Sequence, residues 1–202
     1  MTHTEKKLAS REIFHGRILT LEVDRVELED GSQSRREIVR HPGGAGILAL
    51  DADESVSMIR QFRYAFGREL LEIPAGKLEP GEDPRQAAIR ELEEECGLLA
   101  GNVRSLGCIY PSVGYDDEVI HLYLATDLQN TDARPDPGEF LTVERHPLPE
   151  LVQMSLRGDL CDAKTVTAAA IAKAIAAVGG DARYVTTIVL GAKVKTVKVK
   201  VS

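Results

Sequence analysis

From Asp83 to Gly97 the chain can do little other than form one helix. Asp83 is a good N-cap, Pro84 suits the first helical position, and Gln86 stands where a capping box needs it. Gly97 is able to turn left-handed and stop the helix. Between these limits Glu91, Glu94 and Glu95 fall at i, i+3 and i+4. At roughly 100° per residue they share one face, and Ile89, Leu92 and Cys96 occupy the adjoining apolar one. Such a helix buries one stripe against a core while presenting three carboxylates together.

The acidity is local. Between Gly76 and Leu98 there are seven acids (Glu79, Glu82, Asp83, Glu91, Glu93, Glu94 and Glu95) against Lys77, Arg85 and Arg90. Like charges at i+3 and i+4 cost a helix a few tenths of a kcal/mol. Hard divalent cations seated among the oxygens would remove that repulsion, and Mg²⁺ favours a few carboxylates plus substrate phosphates. A solvated acidic face is the alternative for the helix taken alone.

The 202 residues, 43% hydrophobic and 28% charged, suit one soluble domain with attachments. Apolar runs fall well short of the ~20 residues that span a bilayer, so no membrane contact is expected. The opening Met1–Lys7 is backed by no apolar run, so a secretory signal is not expected and the protein is placed in the cytoplasm. A net charge of −7 argues against a general nucleic-acid binder. Cys96, Cys108 and Cys161 form neither a CxxC pair nor a zinc spacing with histidine, and are expected to be reduced thiols.

Period-two alternation marks the N-terminal segment. Ile18, Leu21, Val23, Val26 and Leu28 alternate along a strand, Asp30-Gly31 is a turn signal, and Arg35–Arg40 resumes the pairing. Pro42-Gly43-Gly44 marks a boundary. Ile47–Leu50, Val56–Phe62 and Leu70–Ile73 are short strands, and Ala75–Glu82 is a loop leading into the acidic helix. Further strands are expected around Val103–Tyr110, Val119–Thr126 and Phe140–Arg145, the last preceded by the Pro-rich loop Arg134–Gly138. Leu148–Leu156 and the alanine-rich Ala163–Val178 are expected helices, the second ended by Gly179-Gly180. The tail alternates Val194, Val197, Val199 and Val201 with lysines. That pattern suits an edge strand or hairpin, with a basic binding arm as the other reading. The order of elements predicts an α/β fold, a mixed sheet covered by helices, with N-terminal antiparallel strands added.

Gly76, five residues, Glu82, seven residues, and then the run Arg90-Glu91-Leu92-Glu93-Glu94-Glu95-Cys96-Gly97-Leu98 together resemble the complete Nudix box. The resemblance covers roughly Ala45 to Val178. It implies a Nudix α/β/α sandwich over 45–178, an N-terminal strand arm over 1–44 and a basic tail over 179–202. It also implies Mg²⁺-dependent hydrolysis of a nucleoside diphosphate linked to another group, with Mn²⁺ able to substitute. Glu91 and Glu95 correspond to the main metal ligands, joined by the carbonyl of Ala75. Glu94 corresponds to a further ligand or a base. Arg90 and Glu82 resemble the family's internal ion pair.

Arg60-Gln61-Phe62-Arg63-Tyr64, then Glu69-Leu70-Leu71-Glu72-Ile73-Pro74-Ala75-Gly76, is similar to the ADP-ribose pyrophosphatase subfamily, as is the arm ending in Val39-Arg40-His41-Pro42-Gly43. That similarity implies a homodimer built by the arm, ADP-ribose as substrate, and substrate contacts from Arg63, Glu72, Arg36 and Arg40. Glu139 resembles the subfamily's mobile-loop glutamate that positions the attacking water; a plain turn acid is the other reading. Val113 stands where the subfamily usually has proline, which keeps ADP-glucose, GDP-mannose and other nucleotide sugars open as substrates. A catalytically silent nucleotide-binding regulator is the rival of another class, and the intact box weighs against it.

Overall fold

The computed structural model describes residues 2–177, 186–190 and 193–197. The N-terminal arm is a three-stranded antiparallel sheet of β1 (Lys6–His15), β2 (Thr20–Glu27) and β3 (Gln33–Arg40), in that spatial order. Alternation marks the second and third strands. The first, β1, is exposed along nearly its whole length and has no apolar period to betray it. The Asp30-Gly31 turn forms as expected: Asp30 accepts from the Ser32 amide at 2.9 Å, and Gly31 takes a φ of 82°. The arm strands thus find their partners within one chain.

The next seven strands form a second, seven-stranded sheet. Its path runs β10 (Leu141–Pro147), β5 (Ser55–Arg63), β4 (Gly44–Leu50), β9 (Ile120–Asn130) and β8 (Leu98–Ile109), with β6 (Arg68–Glu72) on β5 and β7 (Ala75–Lys77) on β4. All pairings are antiparallel except β4 with β9, at the centre. A central strand must be apolar on both faces, and β4 shows how that is written. Ala45, Ile47 and Ala49 point to one layer, and Leu48 to the other. On β9, Tyr123 and Ala125 join the first group, and Leu122 and Leu124 the second.

Each face is covered by helix. On one side lies α1 (Pro84–Cys96); on the other lie α2 (Leu148–Arg157) and α3 (Ala163–Ala177). The result is the α/β/α sandwich expected from the sequence. The buried stripe of α1 is Ala87, Ala88 and Leu92, while Ile89, expected in the core, is only half-buried. Small residues meet small residues here, Ala87 and Ala88 against Ala45, Ala49 and Ala125, so the helix approaches the sheet closely and its bulkier Ile89 is left at the margin. Leu92 is fully buried, a contribution of about 2–3 kcal/mol.

One expectation is corrected. Ala75–Lys77 is not loop but β7, paired with Gly44–Gly46 of β4. β5 pairs with β4 only at Ala49 and Leu50, so the start of β4 would otherwise bury unpaired backbone groups. The tail residues that are described form a hairpin of β11 (Thr186–Leu190) and β12 (Lys193–Val197). The Gly179-Gly180 stop and Lys198–Val201 lie outside the described residues. Among the described residues no helix is long and apolar enough to cross a membrane.

Candidate active site

The helix start and stop are built as the sequence implies. Asp83 accepts from the amides of Arg85 and Gln86, and the Gly97 amide donates to Glu93 and Leu92. Gly97 is required twice over. Its φ is 62°, and a Cβ there would lie 2.6 Å from the Thr131 carbonyl oxygen. That close passage, with Thr131 N–H donating to Gly97 and Arg134 N–H to Glu94, leads the 131–139 loop along the C-terminal end of α1.

The three acids of α1 are not equivalent. Glu95 is 2% exposed and accepts from the Ala75 amide at 2.9 Å. Burial pushes its carboxyl up to about 8, the Ala75 N–H opposes this, and the charges of Glu91 and Glu139 add to it. Glu91 is also raised, by burial first, with Arg90 opposing and Glu94 and Glu139 adding. Glu139, on a loop 42 positions past Gly97 in number and far from it in pattern, is therefore close enough to Glu91 and Glu95 for its charge to be felt at both. Glu94 is half-exposed. At Gly76 a Cβ would overlap the Glu91 carboxylate, so only glycine leaves that side chain its place.

Arg90 ties the group together. It grips Glu82 through Nε at 3.0 Å and Nη2 at 3.2 Å, and its Nη1 lies 2.8 Å from both Glu91 and Glu94. The Glu82 carboxyl is held low, by Arg90 first. Glu79 N–H also donates to Glu82, which closes the loop ahead of the helix. Among the described residues no three Asp, Glu, His or Cys side chains form a ready-made metal cage. A single guanidinium arm instead stands between two of the carboxylates.

Beside the acids opens a cleft of about 220 Å³, lined among others by His41, Arg63, Ala75, Gly76, Glu118 and Lys164. Arg63 donates to Glu72 through Nε at 2.6 Å and Nη2 at 2.8 Å. Glu72 is 2% exposed and sits behind Arg63, so of this expected pair it is Arg63 that faces the cleft. Lys164 reaches Glu72 from α3, a neighbour that sequence reasoning missed. The one local signal was a charge in the first turn of an alanine-rich helix, next to the Asp162 cap.

Arg36 and Arg40 are not brought to this cleft. Arg36 pairs with Glu5 inside the arm. Arg40 pairs with Glu22 and Asp117, each at 2.9 Å. With Val39, Arg40 stitches β3 to the 110–118 loop: Val39 N–H donates to Tyr115 and Asp117 N–H to Val39. The three cysteines are free. Cys96 is pushed up to about 12 by burial, and the other two are exposed.

Comparison with known proteins bears on this arrangement. A family described as the NUDIX domain matches residues 40–168, and one described as the nucleoside diphosphate sugar hydrolase N-terminal domain matches residues 5–39. The chain is 40% identical over 166 residues to the ADP-ribose pyrophosphatase of Bacillus subtilis (strain 168), covering 81% of this chain and 90% of that protein. It is 42% identical, with the same coverage, to the methanol dehydrogenase activator of Bacillus methanolicus. A crystal structure of an ADP compounds hydrolase superposes with a TM-score of 0.78 at 22% identity, covering 89% of this chain and 98% of that one, which shows the shared fold.

Proposed function

The chain belongs to the NUDIX family of pyrophosphohydrolases, and from that premise we propose that it hydrolyses ADP-ribose to AMP and ribose 5-phosphate. The observation that carries this reading is the side-by-side placement of two buried, mutually repelling carboxylates, Glu91 and Glu95, and a cleft faced by Arg63 and Lys164. One half demands cations and the other attracts a polyanion. The N-terminal match to nucleoside diphosphate sugar hydrolases and the similarity to the B. subtilis enzyme narrow the polyanion to a nucleotide sugar.

The donor set fits a hard divalent cation. Glu91, Glu94 and Glu95 offer only carboxylate oxygens, the Ala75 carbonyl adds another, and burial is what raises the carboxyls of Glu91 and Glu95. Mg²⁺, or Mn²⁺ in its place, would be held there, and Arg90 would keep Glu82 while yielding Glu94. When bound, such ions supply charge neutralisation for the diphosphate and a more acidic water. Arg63 then orients the diphosphate, and Glu139 lines up water and accepts its proton as oxygen bonds to the adenosine-side phosphorus. The bridging P–O bond breaks, and ribose 5-phosphate leaves.

The arm supports a homodimer. Ile13, Phe14 and Ile18 are 46%, 56% and 51% exposed, and a sheet with such a surface is stabilised by a second copy. Dimerisation gives Arg36 and Arg40 a route to a partner's substrate. The free thiols support a reducing, cytoplasmic setting. The reading requires neither nucleic acid nor membrane. A panel of ADP-ribose, ADP-glucose and GDP-mannose, assayed with Mg²⁺ and with Mn²⁺, should rank ADP-ribose first by kcat/KM. A lower rank defeats the substrate assignment.

A further inference from the structure

Lys164 is nine-tenths buried in the first turn of α3, yet it faces the cleft. A buried ammonium is costly unless it is paired and hydrogen-bonded. Two carboxylates meet that need: Glu72, in direct contact, and Asp162, at 3.0 Å. Asp162 is otherwise occupied with the helix start, accepting from the Thr165 amide and hydroxyl. Glu72 is otherwise occupied with Arg63, both of its oxygens taking the guanidinium fork. The Thr165 hydroxyl in turn accepts from the Ile73 amide at 2.9 Å. The start of α3 therefore grips both the side chain of Glu72 and the backbone just beyond it.

Resting on the reading above, we propose that Lys164 is a positioning residue for the diphosphate: by fixing Glu72 it fixes the direction in which Arg63 presents its remaining donors to the cleft. A planar guanidinium held by two bonds to one carboxylate can turn only if that carboxylate turns. Glu72 is held in turn by Lys164, which donates to the same Oε2 that takes Arg63 Nη2. Without the lysine, Glu72 keeps a single cation, and the fork and carboxylate swing together out of register with the substrate.

The test uses kinetics on the full chain with ADP-ribose and Mg²⁺, and calorimetric binding of ADP-ribose with chelator present so that turnover is absent. Lys164→Met should raise both KM and Kd by about tenfold or more while kcat changes less than about threefold. Lys164→Arg, which keeps the charge and two donors, should recover most of the loss. Because a lone Glu72 could unfold the first variant, Glu72→Gln is compared with Glu72→Gln/Lys164→Met, which orphans neither partner. The two should bind alike, since Lys164 acts through Glu72. Additive losses in that pair, or an unchanged KM and Kd in folded Lys164→Met, overturn the proposal. Absence of hydrolysis in the parent protein would count against the enzymatic reading instead, and the binding comparison would still decide the role of Lys164.

Discussion

The backbone amide of Ala75 donates to the Glu95 carboxylate across 2.9 Å. This contact fastens β7 to the last turn of α1, so Ala75 and the acids of the helix are held in one place.

Glu91→Gln and Glu95→Gln should each lower kcat by about 100-fold or more while the protein stays folded. The amides keep the shape and lose the charge that would hold hard cations. Thermal melts give a second check: Mg²⁺ should raise the Tm of the parent protein and leave that of Glu95→Gln nearly unmoved. Parent-like turnover in both variants would refute the ligand assignment.

Gly76→Ala should separate activity from stability. The new methyl overlaps the Glu91 carboxylate, the free end of a flexible side chain, so Glu91 swings aside and the fold survives. Stability should change by about 1 kcal/mol or less, below the usual cost of overpacking a rigid core. Turnover should fall by about 100-fold. Denaturant melts beside steady-state kinetics check this, and an active variant would mean that Glu91 need not stand where it does.

Water delivered beside Glu139 to the adenosine-side phosphorus leaves its oxygen in AMP. Reaction in ¹⁸O-water should therefore label AMP and not ribose 5-phosphate, and Glu139→Gln should slow turnover with little change in KM. Label in ribose 5-phosphate would remove Glu139 from its role and leave the α1 acids untouched.

Acid should find the Arg63–Glu72–Lys164 cluster. Burial alone would raise Glu72, but the Arg63 hydrogen bonds and the Lys164 charge outweigh it and hold the carboxyl down at about 2, against 4.5 unperturbed. A depressed folded pKa stabilises the protein fully above pH 4.5, and that share is lost as pH falls toward 2. Urea melts between pH 5 and 3 should show the parent losing on the order of 1–3 kcal/mol more than Glu72→Gln/Lys164→Met. Glu144, held down at about 2 by Arg60, loses its share in the same window in both proteins and cancels in the difference. Parallel curves would show that the cluster adds no pH-linked stability.

The sequence by itself determined the acidic helix, its Asp83 and Gly97 ends, and the shared face of Glu91, Glu94 and Glu95, because caps and i, i+4 spacing act within a few residues. It also determined the central strands Ile47–Leu50 and Val56–Phe62, because short continuous apolar runs mark strands buried on both faces. Only the tertiary structure decided that Glu95 is deeply buried while Glu94 is not, since that depends on where β7 lies beside the helix. The same holds for β7 itself, whose three residues carry no period and pair only because β4 has open backbone groups there. Lys164 and Glu72 stand 92 positions apart and meet only because the packing of α3 on the sheet brings its first turn to the end of β6. No local pattern records that meeting: its stability comes from desolvating opposite charges against each other, and desolvation is a property of the packed layers rather than of either segment.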